Sequence, residues 1–481
     1  MYELLPFQFR RFNDDVLLVN ECGDFLFLSK QEFDYFVRHI LDGQSDAFYA
    51  LKSKLFLSDN EKNTELAIQK SSARYRSKKA FLRDFTSLHM MVITLRCNQR
   101  CEYCQASCAE EDAAKYDMSV DTALKITDMI FQSPAKNLKI EFQGGEPTLN
   151  WKVITATVEY AEKLAEQTRK KASFVICTNL IGINEMQLSY CREHNICIST
   201  SLDGPEFLHN ACRVTPDKKG TYQLFIQKLG LARGILGTSV DALMTTSKYS
   251  LHSMKSIVDE YIRLGFGGIF IRSLNPYGYA AEQANTLSYS MEEFVSCYLD
   301  TLKYIIEINK RKFFPEYFAA LLFSRILTPF STGFVDLQSP SGAGISGVIY
   351  DYEGSVFPAD EARMLARMGD NHFCLGNVYK DSWYDIFVGS KLMRITQKAN
   401  VETTFPCAFC AYQAFCGADP VRNYLECGSE SRNMNSTPFC IKHKTIFDAL
   451  FTFIKNADET EKNIIWSWIT NNPGLVKRDI C

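Results

Sequence analysis

The sequence predicts an α/β protein whose largest part is a partial barrel of six β-α units, a partial (β/α)6 barrel. Its 481 residues are more than one hydrophobic core usually serves, so two or three domains are expected. From Leu88 onward, short apolar runs rich in β-branched residues alternate with longer amphipathic stretches. Such units in series favour a parallel sheet. The predicted strands are HMMVITL, LKIEFQ, ASFVICT, ICISTSL, SVDALMT and GGIFIRSL.

The barrel is predicted over residues 88–275, with its chemistry in the loops at the carboxyl ends of the strands, as in parallel barrels generally. Three unusual segments follow predicted strands, namely residues 97–104, 144–147 and 201–205. Because parallel strands end at the same edge of a sheet, these three segments are expected to form one site.

Residues 1–60 are predicted to form a small α+β domain. VLLVN, a short turn and FLFLS indicate a β-hairpin over residues 16–29, and two helical patterns follow it. Residues 61–87 are predicted as a basic linker or a solvated helix face. Its cations could also contact an acidic peptide or a phosphate; they are Arg74, Arg76, Lys78 and Lys79.

After the barrel, residues 276–335 read as a helical connection. Residues 336–445 form a cysteine-rich extension that begins with a Gly/Ser-rich break and a predicted hairpin, VIYDYEGSVFP. Residues 446–481 are predicted as a C-terminal helix and tail.

Charge and hydropathy limit the functional classes. The net charge of −3, from 53 Lys+Arg and 56 Asp+Glu, argues against nucleic acid as a partner. No segment approaches the ~18 unbroken apolar residues of a membrane span, and no signal peptide is recognised at the start. A cytoplasmic location without membrane association is therefore expected.

The chain contains 17 cysteines, an odd number that makes a poor disulfide framework in a reducing compartment. Most fall into two groups, residues 97–108 and 407–440. Five others lie scattered in apolar or amphipathic surroundings and are interpreted as buried structural thiols; they are Cys177, Cys191, Cys197, Cys212 and Cys297.

The first group, Cys97-x3-Cys101-x2-Cys104, offers three thiolates from one loop. Structural zinc sites usually use four ligands in two separated pairs, whereas iron–sulfur cubanes are held by cysteine thiolates. A cubane with three protein ligands keeps one iron open for a substrate or cofactor. Cys108 is an alternative fourth ligand, although a neighbouring structural thiol is the favoured interpretation.

The cysteine loop resembles the radical S-adenosylmethionine (SAM) signature C-x3-C-x-aromatic-C. FQGGEPT after the second strand, Thr178-Asn179 after the third and SLDGP after the fourth resemble further motifs of the same superfamily, in the expected order. The resemblance implies a TIM-like radical SAM barrel that binds a [4Fe–4S] cluster through Cys97, Cys101 and Cys104. It also implies that SAM is cleaved reductively to a 5′-deoxyadenosyl radical that abstracts hydrogen from carbon.

In the family, the backbone of the GGEP segment and its glutamate, here Glu146, hold the amino group of SAM. The resemblance implies a set of cofactor-binding residues, namely Tyr103, Gly144, Gly145, Glu146, Asn179, Ser201, Asp203 and Arg213.

The second group resembles the SPASM extension of radical SAM peptide maturases, which normally carries two auxiliary [4Fe–4S] clusters. The ligands implied for one of them are all present: Cys407, Cys410, Cys416 and Cys440. The other cluster's pattern falls on Ser341, Ala359 and Asp419 or Pro420, none of which is a thiol. We therefore expect one auxiliary cluster, with Cys374 and Cys427 as spare thiols. A structural zinc knuckle is the alternative for the second group.

Asp360 follows the position of a lost cysteine in FPADEAR. In sulfatase-maturing relatives, an aspartate at that position acts as a general base, so Asp360 is a candidate catalytic residue. The alternative is a structural carboxylate at a hairpin end or helix N-cap.

The N-terminal stretch, the TLRCNQRCEYC loop and FPADEARML resemble HxsB-type maturases of His-Xaa-Ser peptide systems. This implies a ribosomal precursor peptide as substrate, a sibling radical SAM maturase as partner and a reductant such as flavodoxin or ferredoxin. By length and pattern, residues 1–60 resemble a winged-helix element that binds a leader peptide by strand addition, or form a plain packing domain. Two other functions stay open: a sulfatase-type formylglycine-forming maturase, and a non-catalytic metal-bearing peptide-binding protein.

Overall fold

The computed structural model describes residues 2–12, 14–83, 85–110, 114–237, 240–431 and 434–475. Its strands are β1 Glu3–Leu4, β2 Gln8–Phe12, β3 Asp15–Val19, β4 Phe25–Ser29, β5 Leu57–Ser58, β6 Leu88–Thr94, β7 Asn137–Gly144, β8 Lys171–Cys177, β9 Cys197–Ser201, β10 Val240–Thr245, β11 Ile271–Arg272, β12 Gly347–Tyr350, β13 Ser355–Phe357 and β14 Gly376–Asn377.

The helices, apart from short 3-10 turns, follow in chain order. They are α1 Lys30–Val37, α2 Asp46–Ser53, α3 Glu61–Lys78, α4 Val120–Phe131, α5 Trp151–Thr168, α6 Glu185–Glu193, α7 Glu206–Cys212, α8 Tyr222–Leu236, α9 Met254–Arg263, α10 Tyr279–Glu282, α11 Ala284–Leu287, α12 Met291–Asn309, α13 Tyr317–Leu327, α14 Asp360–Arg367, α15 Trp383–Phe387, α16 Ser390–Lys398, α17 Pro420–Cys427, α18 Pro438–Asn456 and α19 Glu459–Thr470.

The chain divides into two compact units. The sheet unit comprises Asp84–Ala320, Ala343–Arg394 and Ala449–Cys481. The hairpin unit comprises Met1–Arg83, Leu321–Gly342 and Ile395–Asp448.

A nine-stranded sheet forms the centre of the sheet unit, in the order β11-β10-β9-β8-β7-β6-β12-β13-β14. The six predicted strands are β6 to β11, and each pairs in parallel with the next along the chain. Helices separate them in sequence, so the predicted series of six β-α units is confirmed. All six strands therefore end at the same edge of the sheet, which brings their following loops to one side.

The apolar runs form strands because β-branched and aromatic side chains suit a pleated, packed surface. In β6, Val92 and Ile93 are fully buried, as are Ile140 and Phe142 in β7. The helix after β6 begins at the Ser119 cap, whose side chain accepts a hydrogen bond from the Thr122 backbone.

The hairpin predicted at VIYDYEGSVFP is confirmed as antiparallel β12 and β13. The sequence did not indicate where this hairpin would pair. In the structure β12 adds to the sheet in parallel beside β6, and all four of its residues are buried. A strand buried throughout shows no alternation of polar and apolar residues, so its pattern carried no information about its neighbour.

In the hairpin unit, β2, β3 and β4 form an antiparallel sheet with β3 at its centre. The hairpin predicted at residues 16–29 is confirmed as β3 and β4. Ser29 and Glu32 form a capping box that starts α1 directly after β4. The core of this region is aromatic and aliphatic; its buried members are Tyr2, Val16, Leu18, Leu28, Phe36, Ala47, Phe48, Leu51, Phe56 and Leu57.

The basic segment at residues 61–87 contains the 18-residue helix α3, so the helical alternative describes it better than a linker. Two of its cations are paired within the hairpin unit: Arg74 with Asp24, and Lys79 with Glu402.

The predicted C-terminal helix is confirmed as α18, and a second helix, α19, follows it within the stretch predicted as a tail. Residues 476–481 of that predicted tail lie outside the described residues. Within the described part of the chain, no helix combines the length and apolarity needed to cross a membrane.

Candidate functional site

The predicted cysteine loop follows β6, and the structure gathers its thiols. Cys97 is buried and Cys101 and Cys104 are half-buried. The Cys108 thiol interacts with both Cys104 and Cys97, and the Cys104 thiol is close enough to Cys101 to affect the ionisation of Cys101. Cys108 therefore belongs to the same group of thiols as the three signature cysteines.

A buried charged network links this loop to the end of β9. Asp203 Oδ2 accepts hydrogen bonds from the Tyr103 hydroxyl at 2.5 Å and from Arg213 Nε at 2.8 Å. The Arg213 guanidinium lies over the Tyr103 ring and reaches to 3.9 Å from Cys101 Sγ. Three of the predicted cofactor-binding residues thus form one network around the loop.

Glu146 joins the loops after β7 and β8. Its Oε1 accepts hydrogen bonds from the hydroxyls of Thr148 at 2.6 Å and Thr178 at 2.7 Å, and its Oε2 accepts from the Asn179 backbone at 2.8 Å. The side chain is fully buried. In this arrangement Glu146 holds protein groups together, and its predicted contact with an amino group of SAM stays a prediction.

Gly144 and Gly145 allow the β7 loop to lie directly against the end of β6. A Cβ atom on Gly144 would lie 2.1 Å from the Thr94 carbonyl oxygen, and one on Gly145 would lie 2.3 Å from that of Arg96. Any side chain at either position would push the two loops apart. The glycines are therefore needed for the close approach that places Glu146 beside the cysteine loop.

Asn179 and Ser201 occupy the ends of the next two strands. The Asn179 amide donates to Asn98 Oδ1 at 2.8 Å and lies 3.9 Å from Cys97 Sγ. Ser201 is the last residue of β9 and is half-buried. All the predicted SAM-site residues therefore lie in the loop after β6 or at or after the carboxyl ends of β7, β8 and β9.

Burial dominates the electrostatics of this region. It raises the pKa of Cys101 to about 12, although Arg213 acts in the opposite direction. Burial also raises the pKa of Glu146 above its ordinary value. For Arg213 burial opposes the charge, but the Asp203 carboxylate outweighs it and raises the pKa of Arg213 well above its usual value. Arg213 is the cation that favours a thiolate at Cys101.

The second cysteine group lies entirely within the hairpin unit. The thiols of Cys410 and Cys440 are close enough to Cys407 to raise its pKa. All three of these thiols are also close enough to Cys416 to raise the pKa of Cys416. Cys440 is on α18, whereas the other three lie in the segment before α17. The structure therefore brings together the four thiols that the sequence predicted as one ligand set.

Cations face this second group. Arg325 interacts with Cys416, Arg10 with Cys410 and Lys444 with Cys440. Arg10 is also held by two hydrogen bonds to the Asp448 carboxylate. Positive charge close to thiolates favours their ionised form, which metal binding requires.

The residues at the predicted lost cluster site have structural roles of their own. Asp419 is the N-cap of α17 and accepts a hydrogen bond from the Arg422 backbone. Burial raises the pKa of Asp419 to about 6. Ser341 is buried, Ala359 precedes α14, and Cys374 and Cys427 are free thiols in the sheet unit and the hairpin unit, respectively.

Asp360, the candidate general base, is the first residue of α14 and forms an ion pair with Arg363 at 2.9 Å. A carboxylate in the first turn of a helix is also stabilised by the helix dipole. Within the described residues, no hydrogen bond or ion pair joins Asp360 to the cysteine loop. Its structural role is visible, and its catalytic role stays a prediction.

Both cysteine groups offer a donor set made of cysteine thiols. Among the described residues, no three or more His, Cys, Asp or Glu side chains are arranged to hold a single metal ion. A [4Fe–4S] cubane has a wider ligand set, because each thiolate binds a different iron. Both groups supply only thiolates with cations beside them, so the donor chemistry fits a cubane at each.

Sequence reasoning missed the residues that brace the first loop. Arg96 makes a bidentate pair with Asp117 and also donates to the Leu149 carbonyl at 2.9 Å. The Thr94 hydroxyl donates to the same carboxylate at 2.6 Å. Thr94 and Arg96 flank Leu95 directly before Cys97, and polar residues at the end of a buried strand are the signal that would have identified them.

Residues 91–261 match the family model described as the Radical SAM superfamily, so this part of the chain is a radical SAM domain. The match runs from within β6 to within α9 and includes the cysteine loop, Glu146, Asp203 and Arg213. A match to this superfamily implies a [4Fe–4S] cluster and SAM.

The chain is 30% identical over 143 residues to a cysteine-type anaerobic sulfatase-maturating enzyme of Clostridium novyi, an alignment that covers 28% of this chain and 38% of that protein. The alignments to the first curated relatives cover between 32% and 38% of those proteins' lengths. The activities, substrates and partners of those whole proteins are therefore not transferred by the alignments.

Two solved structures share the fold. The native anSMEcpe with bound AdoMet and Cp18Cys peptide has a TM-score of 0.61 at 18% identity, covering 77% of this chain and 98% of that one. Streptococcus suis SuiB bound to precursor peptide SuiA has a TM-score of 0.51 at 14% identity, covering 90% and 98%. At these identities the likeness establishes the fold alone.

Proposed function

We propose that the protein is a radical SAM enzyme that modifies a ribosomally made peptide. The observation that carries the proposal is the contact of Cys101 in the cysteine loop with Arg213, which is paired with the buried Asp203 at the carboxyl edge of the parallel sheet. When bound to these cysteines, a [4Fe–4S] cluster would supply the electron that cleaves SAM to a 5′-deoxyadenosyl radical.

The side chains around the loop have separable tasks in this proposal. Arg213 balances the thiolate charge at Cys101, and Asp203 fixes the orientation of both Arg213 and Tyr103. Glu146 fixes the loops after β7 and β8 relative to each other. The burial of Tyr103, which is 5% exposed, helps to exclude water from the loop.

The direct test is anaerobic reconstitution with iron and sulfide, followed by measurement of iron per chain and of 5′-deoxyadenosine after adding SAM and reductant. About eight irons per chain are expected if both cysteine groups hold cubanes. The triple substitution of Cys97, Cys101 and Cys104 by Ala is expected to leave about four irons and no deoxyadenosine.

Cys197→Ser is the matched control. Cys197, which the sequence predicts as a buried thiol, is instead exposed at the start of β9, the opposite end of the strand from the site. Its iron content and deoxyadenosine release should equal those of the wild type. Zinc in place of iron, with no deoxyadenosine, would contradict the proposed enzymatic function and favour a metal-bearing peptide-binding protein.

We infer that the second group, Cys407, Cys410, Cys416 and Cys440, holds one auxiliary [4Fe–4S] cluster. The supporting observations are four mutually close thiols and the cations that face three of them. Cys416→Ala should lower the iron content by up to about four per chain while the SAM cluster remains. About twelve irons in the wild type would mean that other thiols rebuild the site assigned as lost.

The proposed substrate is a peptide with His-Xaa-Ser repeats, from the resemblance of the N-terminal stretch, the cysteine loop and FPADEARML to HxsB-type maturases. A leader segment would add to an edge of the β2-β3-β4 sheet, since β2 and β4 both have an unpaired side in the described structure. Incubation with such a peptide, SAM and reductant should change the peptide mass only when Cys97, Cys101 and Cys104 are intact. A sibling maturase and a flavodoxin- or ferredoxin-like reductant are the proposed partners.

A sulfatase-type maturase is the second candidate. It is favoured by a 22% identical alignment over 382 residues that spans 95% of a Clostridium perfringens cysteine-type sulfatase-maturating enzyme. Here Asp360 would serve as the base that removes a proton from the substrate. Oxidation of a Cys- or Ser-containing sulfatase peptide, lost in Asp360→Asn, would favour this candidate over the His-Xaa-Ser substrate.

A further inference from the structure

Gln99 lies between Cys97 and Cys101 in the loop after β6 and is almost fully buried. Its backbone N–H donates a hydrogen bond to Cys97 Sγ at 3.4 Å. The Cys101 thiol donates to its side-chain Oε1 at 3.6 Å, and the Cys108 thiol donates to its backbone carbonyl at 3.9 Å. Gln99 therefore contacts three thiols of the first group, and its amide faces one of the predicted cluster ligands.

A buried chain of hydrogen bonds holds the other end of the Gln99 amide. Its Nε2 donates to Thr221 Oγ1 at 3.0 Å, and the Thr221 hydroxyl donates to the Arg213 carbonyl at 2.9 Å. His209 Nε2 lies 3.2 Å from the same Thr221 oxygen. Thr221 and His209 are both almost fully buried. The amide is thus fixed between a sulfur on one side and a hydroxyl on the other.

The His209 ring donates to this chain. Burial lowers the pKa of His209 to about 4, so the ring is neutral near pH 7 and carries a single N–H. The Thr221 hydroxyl has only one proton, which it donates to the Arg213 carbonyl. Its oxygen must therefore accept from His209, and the ring proton lies on Nε2. The direction of every hydrogen bond in the chain is then determined.

The hydrogen bond between Cys101 and Gln99 must reverse when Cys101 binds iron. A cysteine that binds a metal is a thiolate, which accepts hydrogen bonds and has no proton to donate. Gln99 Oε1 would then face a negatively charged sulfur in a buried place, where such a contact is strongly unfavourable. Turning the amide by half a rotation brings Nε2 to the sulfur and Oε1 to the Thr221 hydroxyl, because the two ends of an amide have nearly the same shape.

The buried chain can follow this rotation. The Thr221 hydroxyl turns its proton from the Arg213 carbonyl to Gln99 Oε1, while its oxygen still accepts from His209 Nε2. One neutral hydrogen bond, to the Arg213 carbonyl, is lost, and one to the Cys101 thiolate is gained. Hydrogen bonds to an ionised acceptor are roughly twice as strong as neutral ones, so the exchange favours the rotated amide.

We propose that Gln99 is a positioning residue for the first cluster: its amide donates to the Cys101 thiolate, and Thr221 and His209 hold the amide in that orientation. A hydrogen bond to a cluster sulfur raises the reduction potential, because it stabilises the negative charge that reduction adds. The electron that SAM cleavage requires is therefore accepted at a potential set in part by Gln99. The inference rests on the proposed function, since it needs a cluster at the cysteine loop.

The test is potentiometric titration of the reconstituted full chain, read by electron paramagnetic resonance at the signal that changes when SAM is added. Gln99→Leu removes the donor and should lower the equilibrium constant for reduction at least tenfold, a shift of about 59 mV for one electron. Thr221→Val should shift the potential in the same direction, whereas Thr221→Ser keeps the hydroxyl and should match the wild type. An unchanged potential in Gln99→Leu, or equal potentials in the two Thr221 variants, would overturn the proposal.

A second readout detects the hydrogen bond itself. Electron nuclear double resonance of the reduced cluster, compared between H2O and D2O, reports exchangeable protons close to the cluster sulfurs. The wild type and Thr221→Ser should show an exchangeable proton coupling that Gln99→Leu lacks. The same coupling at full strength in Gln99→Leu would overturn the proposal, because the amide proton would not be its source.

Gln132→Leu is the control variant, because Gln132 follows α4 at the amino edge of the sheet, and its exposed amide donates to the Asp128 carbonyl at 3.3 Å. Its potential should equal that of the wild type. Thr221→Val keeps the test decisive if Gln99→Leu holds no cluster, because Thr221 lies one hydrogen bond further from the sulfur. A wild type without a SAM-sensitive cluster loses the proposed function as well. A wild type that cleaves SAM at a potential unaffected by Gln99→Leu loses only this inference.

Discussion

The two cysteine groups differ in how positive charge is arranged beside their thiols. At the first, one buried pair, Asp203 and Arg213, lies against the thiols, and the side chains are only 3% and 10% exposed. At the second, the positive charge is divided among Arg10, Arg325 and Lys444. The Arg10–Asp448 pair there is 32% and 28% exposed.

The difference shows where each site is vulnerable. A single deeply buried pair leaves an uncompensated charge when one partner is removed, and that cost is large. A partly solvated pair such as Arg10–Asp448 can be broken at a small cost. Removing one charge at the first site should therefore lower the free energy of unfolding strongly. Removing one charge at the second site should lower it only slightly.

The largest expected effect is that of Arg213→Met. It leaves Asp203 buried without its cation, which should lower the free energy of unfolding by about 3–5 kcal/mol. Urea denaturation of the cluster-free chain measures this loss. Arg10→Met is the matched substitution at the second site and should cost about 1 kcal/mol, because its pair is partly exposed. Equal losses of unfolding free energy in the two variants would show that the two sites do not differ in this way.

Asp419→Asn should stabilise the chain in a pH-dependent manner. Burial raises the pKa of Asp419 to about 6, so the folded state holds its proton more tightly than the unfolded state. The wild type should therefore lose stability as the pH rises from about 4 to about 6, where the unfolded state releases the proton first. Asparagine keeps the N-cap and has no such loss.

The measurement is the free energy of unfolding of both chains, from urea denaturation at pH 4 and pH 7. The free energy of unfolding of Asp419→Asn should exceed that of the wild type by about 3 kcal/mol at pH 7 and match it at pH 4. A variant that is less stable than the wild type at pH 7 would mean that the Asp419 charge is needed at this position.

Lys444→Gln should shift the reduction potential of the auxiliary cluster without removing it. Lys444 is one helical turn after Cys440 on α18, so its charge favours the reduced cluster. Its loss should lower the midpoint potential by tens of millivolts, on the order expected for one partly solvated charge. Potentiometric titration followed by electron paramagnetic resonance gives the value.

Lys462→Gln, on α19 in the sheet unit, serves as the control because its charge is paired with Glu459 at an exposed position. An unchanged potential in Lys444→Gln, or an equal shift in both variants, would show that the charge near Cys440 does not tune the cluster.

The smallest expected effect concerns Cys108. If the first site uses three ligands, Cys108→Ser should keep the wild-type iron content and deoxyadenosine release. Cys104→Ser should lose up to about four irons per chain and the deoxyadenosine. Because Cys108 lies against Cys97 and Cys104, loss of iron in Cys108→Ser would instead make it a ligand.

Much of the candidate site could be predicted because its residues are close in sequence or follow recognisable strands. The three cysteines lie in one loop, and GGEP, Asn179 and SLDGP each follow a strand of a serial β-α pattern. Such motifs combine with the shared edge of parallel strands to place their residues together. The actual contacts of Glu146 could not be predicted, because they depend on how closely two loops approach.

The sequence by itself determined the six serial strands, the N-terminal hairpin and the identity of both cysteine groups, since periodicity and spacing are local properties of a chain. Only the tertiary structure decided that β12 pairs with β6, that Cys108 joins the first thiols, and that Lys79 meets Glu402. Those outcomes depend on packing between segments that are far apart in the chain or on the path of a loop. A local pattern records that a side chain is charged or apolar, but its partner is selected by burial and by the geometry of the folded chain.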